Sequence, residues 1–211
     1  MGQLIDISNP LHPDLPVWPG SHGIHIHRIL DQEKGDAATV SRLDIDIHSG
    51  THIDAPLHFV KNGATTEEIP LDKLNGPCRV ADLRGIPIIT HRHLEALRLP
   101  SNTRKLLLKT DNSEKWTDLR HTFDKDYAAI SQEAAQWVVD QGIELIGIDY
   151  HSIQRFSDPI DTHVTLLKNK VVILEGLNLK SIQSGPYRLW CLPVRILGVE
   201  GAPARAVLET V

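Results

Sequence analysis

The chain has 211 residues, of which 41% are hydrophobic and 23% charged, and a formal net charge of −5. That length and balance suit one globular domain with a sizeable core rather than a disordered chain. Mild acidity and scattered Lys and Arg residues argue against nucleic acid or an anionic membrane surface as partner, and no apolar stretch approaches the ~20 residues of a membrane-spanning helix.

Taken in order, the chain begins Met-Gly-Gln-Leu-Ile-Asp. This has no basic segment followed by an apolar one, so it is not a secretory signal, and a reduced cytoplasm is the expected compartment. Pro10, Pro13, Pro16 and Pro19 exclude a regular helix from the stretch that follows. Ile24–His27 alternates as a strand does. Leu43–His48 also alternates, with Leu43, Ile45 and Ile47 on one face and Asp44, Asp46 and His48 on the other; Gly50 breaks it. Cys78–Leu83 reads as a short strand. Thr90 is placed to cap a helix reaching Arg98, stopped by Pro100. Leu106–Leu108 reads as a short buried strand. Ser131 caps a predicted helix to Gln141, with Ala134, Trp137 and Val138 on one face and Gly142 as the stop. Ile143–Ile148 reads as a buried strand ending at Asp149, and Lys170–Leu174 and Ala204–Leu208 as two more. Strands alternating with helices over residues 1–211 predict one α/β or α+β domain with seven or more strands. Cys78 and Cys191 lie far apart with no CxxC spacing and read as small buried hydrophobes.

The chain holds 12 His, and histidine is both the commonest metal ligand and a general base near neutral pH. His48, His52, Asp54 and His58 fall within a single short segment, His48-Ser-Gly-Thr-His52-Ile-Asp54-Ala-Pro-Leu-His58. The helical His-x-x-x-His arrangement does not fit, because Ser-Gly-Thr is poor helix material and a strand precedes it. A turn at a strand end brings His48 and His52 together instead. His52 and Asp54 then share a face of extended chain, and Pro56 stiffens the path back to His58. Imidazoles plus a carboxylate suit zinc or manganese, and a carboxylate can bridge two ions. Glu175 ends the apolar run Val171–Leu174, where a carboxylate is costly to bury unless paired or metal-bound. Taken alone, His163 reads as a surface or capping residue. Trp18, among prolines, is either an aromatic plate for a ligand or a core anchor. The other histidines, including His151 just after Asp149, are read as lying outside the site.

The central segment resembles the HxGTHxDxPxH signature of the cyclase-like metal-dependent hydrolases, whose best-known members are bacterial kynurenine formamidases. Trp18-Pro19-Gly20, Gly147-Ile148-Asp149, His163-Val-Thr-Leu-Leu and Leu174-Glu175-Gly176-Leu177 resemble later segments of the same family, in the right order. The resemblance implies a swivelling β/β/α fold with a barrel-like core and flanking helices. It also implies a divalent metal centre of two zinc ions, or manganese. His48, His52 and Asp54 would hold one ion, and Asp54, His163 and Glu175 the second. His58 would transfer protons and Trp18 would line the substrate pocket. The implied reaction is hydrolysis of N-formylkynurenine to kynurenine and formate by a homodimer or homotetramer. Hydrolysis of a lactam, as in isatin hydrolases, is the runner-up, and a metal-binding protein without turnover is the reading from a different class. Ser21-His22-Gly23 and Tyr150-His151-Ser152 depart from the formamidase pattern where the substrate pocket is expected.

Overall fold

The computed structural model describes residues 2–117 and 122–211. In chain order its elements are β1 (Leu4–Asp6), β2 (Ile24–Leu30), β3 (Val40–Ile45), β4 (His52–Asp54), α1 (Leu71–Leu74), β5 (Asn75–Asp82), β6 (Ile88–Ile89), α2 (His91–Ala96), β7 (Lys105–Lys109), β8 (Ala129–Ile130), α3 (Gln132–Asp140), β9 (Leu145–Ile148), α4 (Asp161–Lys168), β10 (Val172–Glu175), β11 (Gly185–Pro193) and β12 (Gly201–Thr210).

The main sheet runs β1-β12-β11-β5-β7-β9-β10-β4, and an additional β12–β4 pairing closes seven of these strands into a barrel. β5, β7, β9 and β10 are mutually parallel, while the pairings through β11, β12 and β4 are antiparallel. The parallel strands need crossovers, which α2, α3 and α4 supply. This is the mixed barrel with flanking helices that the family resemblance implies.

The apolar runs are explained by two cores that share the same strands. Leu107, Leu145, Val172 and Leu174 point into the barrel and pack with Ile53, Cys78, Val80, Leu189, Cys191 and Leu208. Their neighbours Leu106, Leu108, Ile146, Ile148 and Ile173 point outward, under Ala134, Ala135 and Val138 of α3 and Leu166 and Leu167 of α4. A strand covered on both faces reads as a continuous hydrophobic run, and burying each such side chain contributes roughly 1.5–3 kcal/mol. Gly147 is required by close packing: a Cβ there would lie 2.6 Å from Leu107 Cδ2. Both cysteines are buried, as expected.

Some boundaries differ from expectation. β3 stops at Ile45, and Asp46–His48 belongs to the following turn. Asp46 leaves the ladder because its carboxylate accepts hydrogen bonds from the Ser21 hydroxyl and, at 2.8 Å, from the His22 N–H. The helix after Thr90 ends at Ala96, and Arg98 takes a left-handed backbone. The helix after Ser131 spans Gln132–Asp140, with the Ser131 hydroxyl accepting from Ala134 N–H. β11 and α4 had no clear signal. β11 carries proline near both ends, which weakens a strand pattern, and α4 is rich in β-branched residues of modest helix propensity. No helix among the described residues is long and apolar enough to cross a membrane.

Candidate metal centre

β4 and β10 pair antiparallel, with Glu175 opposite His52 and Ile173 opposite Asp54. Directly paired residues share a face, so His52, Asp54 and Glu175 lie on the outer side of the barrel wall while Ile53 and Leu174 fill its interior. The polar cluster sits beneath α4, whose first turn carries His163. His52, Asp54, His163 and Glu175 are all buried.

The turn before β4 is fixed by a dense set of backbone contacts. Gly50 and Gly176 both have left-handed backbones. A Cβ on Gly176 would fall 2.0 Å from the Gly50 carbonyl oxygen. Thr51 Oγ1 donates to the Gly176 carbonyl at 2.6 Å, and Asn9 Nδ2 donates to the same oxygen at 2.8 Å. The His48 turn is thereby locked to the end of β10. Gly201 of β12 lets the His48 ring approach, since a Cβ there would lie 2.6 Å from His48 Cε1.

The His52 ring bonds through Nδ1 to the Gly50 carbonyl at 2.9 Å, which assigns the proton to Nδ1 and leaves the Nε2 lone pair free. Nε2 lies 3.4 Å from Glu175 Oε2 and 3.6 Å from Asp54 Oδ1. His163 is arranged in the same way. Its Nδ1 meets Gln154 Oε1 at 3.2 Å, while Nε2 lies 3.3 Å from Glu175 Oε1 and 3.8 Å from Asp54 Oδ2. Glu175 Oε1 also accepts the Ile153 N–H at 2.7 Å. His48 Nδ1 lies 2.9 Å from Asp54 Oδ1. The His58 ring stacks on His48 with centroids 3.9 Å apart, half-buried on the cavity side.

Among the described residues, two groups could hold a metal ion: His48, Asp54 and His58, and His52, Asp54 and Glu175, with ligand atoms within 4.8 Å of one another in each. Asp54 is common to both, as a bridging carboxylate would be. His52 falls with Glu175, and His58 with His48, a different partition from the one the family resemblance implies.

The donor set fits a divalent cation. His48 Nε2, His52 Nε2 and Asp54 Oδ2 are buried without a hydrogen-bond partner, a costly state for polar atoms unless a ligand completes them. Two fully buried carboxylates also need positive charge close by. Burial alone would push the Asp54 carboxyl up, but the His48 hydrogen bond and the His48, His52 and His58 imidazoles hold it well below the usual range. Glu175 is held down despite burial and the Asp54 charge, by His163 and His52. His52 is raised because Glu175 and Asp54 outweigh its own burial. The carboxylates that favour positive charge on these imidazoles would equally favour a metal cation, whose binding competes with protons. His58 is lowered, chiefly by burial, with Asp54 opposing.

The cluster opens into a cavity of about 590 Å³ lined by Trp18, His58, Phe59, Phe156, His163 and Glu175, among others. Trp18 sits at its wall, 39% exposed, with its ring centroid 5.2 Å from Phe156 and 5.0 Å from Phe123. Trp18, His48, His58, His163 and Glu175 line this cavity, and His52 and Asp54 are buried in the cluster behind them. His163, which alone read as a surface or capping residue, is buried. His151, read from the sequence as lying outside the site, lines the cavity. Gln154, which orients His163, gave no sequence signal.

The Cyclase family model, described as "Putative cyclase", matches residues 5–155. The chain belongs to the cyclase family. It is 36% identical to cyclase-like protein 1 of Arabidopsis thaliana, over 98% of this chain and 85% of the relative. A solved structure described as a potential metal-dependent hydrolase with cyclase activity superposes with a TM-score of 0.85 at 34% identity, covering 99% of this chain and 98% of that one. Isatin hydrolase A from Ralstonia solanacearum shares the cyclase-family fold, with a TM-score of 0.83 at 20% identity and coverage of 99% and 92%.

Proposed function

We propose that this cyclase-family chain is a metal-dependent hydrolase of a small amide bond, and most specifically an arylformamidase that converts N-formylkynurenine to kynurenine and formate. The carrying observation is a buried His/Asp/Glu cluster with three unpartnered ligand atoms, opening on an aromatic-walled cavity. Zinc or manganese would suit these nitrogen and oxygen donors. His48, His52, Asp54, His163 and Glu175 would hold the ions. When bound, such ions acidify a water molecule and polarise the scissile carbonyl.

The remaining roles fall to the chain itself. His58 is uncharged at neutral pH because burial depresses its pKa. Its imidazole nitrogen can therefore take a proton from the attacking water and return it to the departing amine nitrogen. Trp18 and Phe156 offer aromatic faces to an aryl ring. Arg155 and Asp158 at the cavity wall, 3.7 Å apart, offer both charges to the amino-acid end of N-formylkynurenine. The same parts could open a lactam, and isatin hydrolase A, of the same fold, is named for that reaction.

A homodimer or homotetramer is part of the proposal. The β2–β3 hairpin stands apart from the main sheet with Ile26, Leu30, Val40 and Leu43 each at least 41% exposed. An isolated two-stranded hairpin is marginal unless something covers its apolar face.

The test is incubation of zinc- or manganese-loaded protein with N-formylkynurenine, and separately with isatin, while formate and ring-opened product are measured. Formate release supports the arylformamidase. Ring opening alone moves the function to the lactam reading, and neither product overturns both.

A further inference from the structure

His151 is not used by the reading above, yet its ring lines the same cavity. It is 6% exposed, and Nε2 is buried without a hydrogen-bond partner. The ring is enclosed by aromatic faces, with centroids 4.9 Å from Trp116, 5.3 Å from Phe123 and 4.8 Å from Tyr150. Such walls would suit a leucine as well as they suit an imidazole. An unpartnered nitrogen among them is costly unless a bound group completes it.

The ring's position is rigidly set. Two residues earlier, the Asp149 carboxylate accepts from Thr110 N–H at 2.8 Å and Thr110 Oγ1 at 2.6 Å, and from Ser113 N–H at 3.2 Å and Ser113 Oγ at 2.6 Å. Trp116 Nε1 donates to the Asp149 carbonyl at 3.0 Å and to the Leu177 carbonyl at 2.9 Å. The cavity that the His151 imidazole lines is also lined by His48, His163 and Glu175 of the metal-capable cluster, and burial pushes the imidazole pKa down to about 3. A neutral imidazole N–H suits an uncharged acceptor better than a carboxylate, which would favour a cationic partner.

Resting on the hydrolytic reading, we propose that His151 Nε2–H donates to a second carbonyl of the substrate, one carried ortho to the amide nitrogen of an aryl amide. N-formylkynurenine and isatin, the substrates considered above, both carry that second carbonyl, and His151 is the residue that selects for it. One carbonyl is hydrolysed at the cluster while His151 holds the other.

The test uses two small aryl amines that undergo no hydrolysis, 2′-aminoacetophenone and 2-ethylaniline, which differ in the carbonyl. Their binding to metal-loaded protein is measured by titration calorimetry. Wild type is expected to favour the ketone about tenfold, the worth of one neutral hydrogen bond. His151→Leu is expected to abolish the preference while binding 2-ethylaniline within about twofold of wild type, and His151→Gln to keep part of it. Equal binding in wild type, a preference that survives His151→Leu, or no binding of either probe overturns the inference. Protein that shows the His151-dependent preference but releases no formate and opens no lactam refutes the hydrolytic reading alone. Turnover without the preference refutes only the role of His151.

Discussion

Replacing Gln154 by Leu removes the group that aims His163. Gln154 Oε1 lies 3.2 Å from His163 Nδ1 and 3.4 Å from its backbone nitrogen, and the side chain is 7% exposed. Leucine fills a similar volume but accepts nothing. His163 then has no partner to hold its proton on Nδ1, so both the tautomer and the ring orientation that present Nε2 to Glu175 are lost. Partners of this kind are worth 10–100-fold in metal affinity, or about 1.4–2.8 kcal/mol at 1.4 kcal/mol per factor of ten. The assay is competition with a chromophoric chelator for zinc, run beside a thermal melt. Gln154→Glu restores an acceptor and is expected to bind zinc more tightly than Gln154→Leu. If Gln154→Leu folds as wild type does and its zinc affinity is unchanged, Gln154 does not orient a ligand and His163 is not held as described.

Gly176→Ala places a Cβ 2.0 Å from the Gly50 carbonyl at a left-handed backbone position; strain and displacement together are expected to cost about 2–5 kcal/mol. Denaturant melts should show it, and a loss below 1 kcal/mol would contradict the locked turn. His58→Ala is expected to retain the metal and lose roughly 100-fold or more in rate, measured by elemental analysis and formate release; loss of the metal instead would make His58 a ligand. Burial pushes both the Cys78 and Cys191 thiols up to about 12, so at pH 8 the thiolate fraction is on the order of one in ten thousand. Folded protein should resist a thiol-reactive dye that labels both cysteines in guanidinium.

What could be read from the sequence was whatever local periodicity fixes. His52, Ile53 and Asp54 alternate, and the barrel wall divides them into polar outside and apolar inside. The parallel strands around Leu106–Leu108 and Leu145–Ile148 announced themselves as apolar runs because both faces are covered. The end of β3 was not legible, because it depends on Asp46 being tied to Ser21 and His22 rather than on the alternation itself. His163 and Glu175 could be linked to the cluster only through the family resemblance. No local rule brings the first turn of α4 over the β4–β10 pair. Gln154 and His151 stayed invisible because their roles arise from how the segment after β9 passes beneath α4 and against Trp116.

The most direct test of the Asp54-centred metal site is elemental analysis of wild type and Asp54→Asn, each with a formate-release assay on N-formylkynurenine. Asp54 belongs to both candidate ligand groups, so wild type is expected to carry zinc or manganese and release formate, and Asp54→Asn to lose both. An Asp54→Asn protein that keeps its full metal content and its activity would contradict the site.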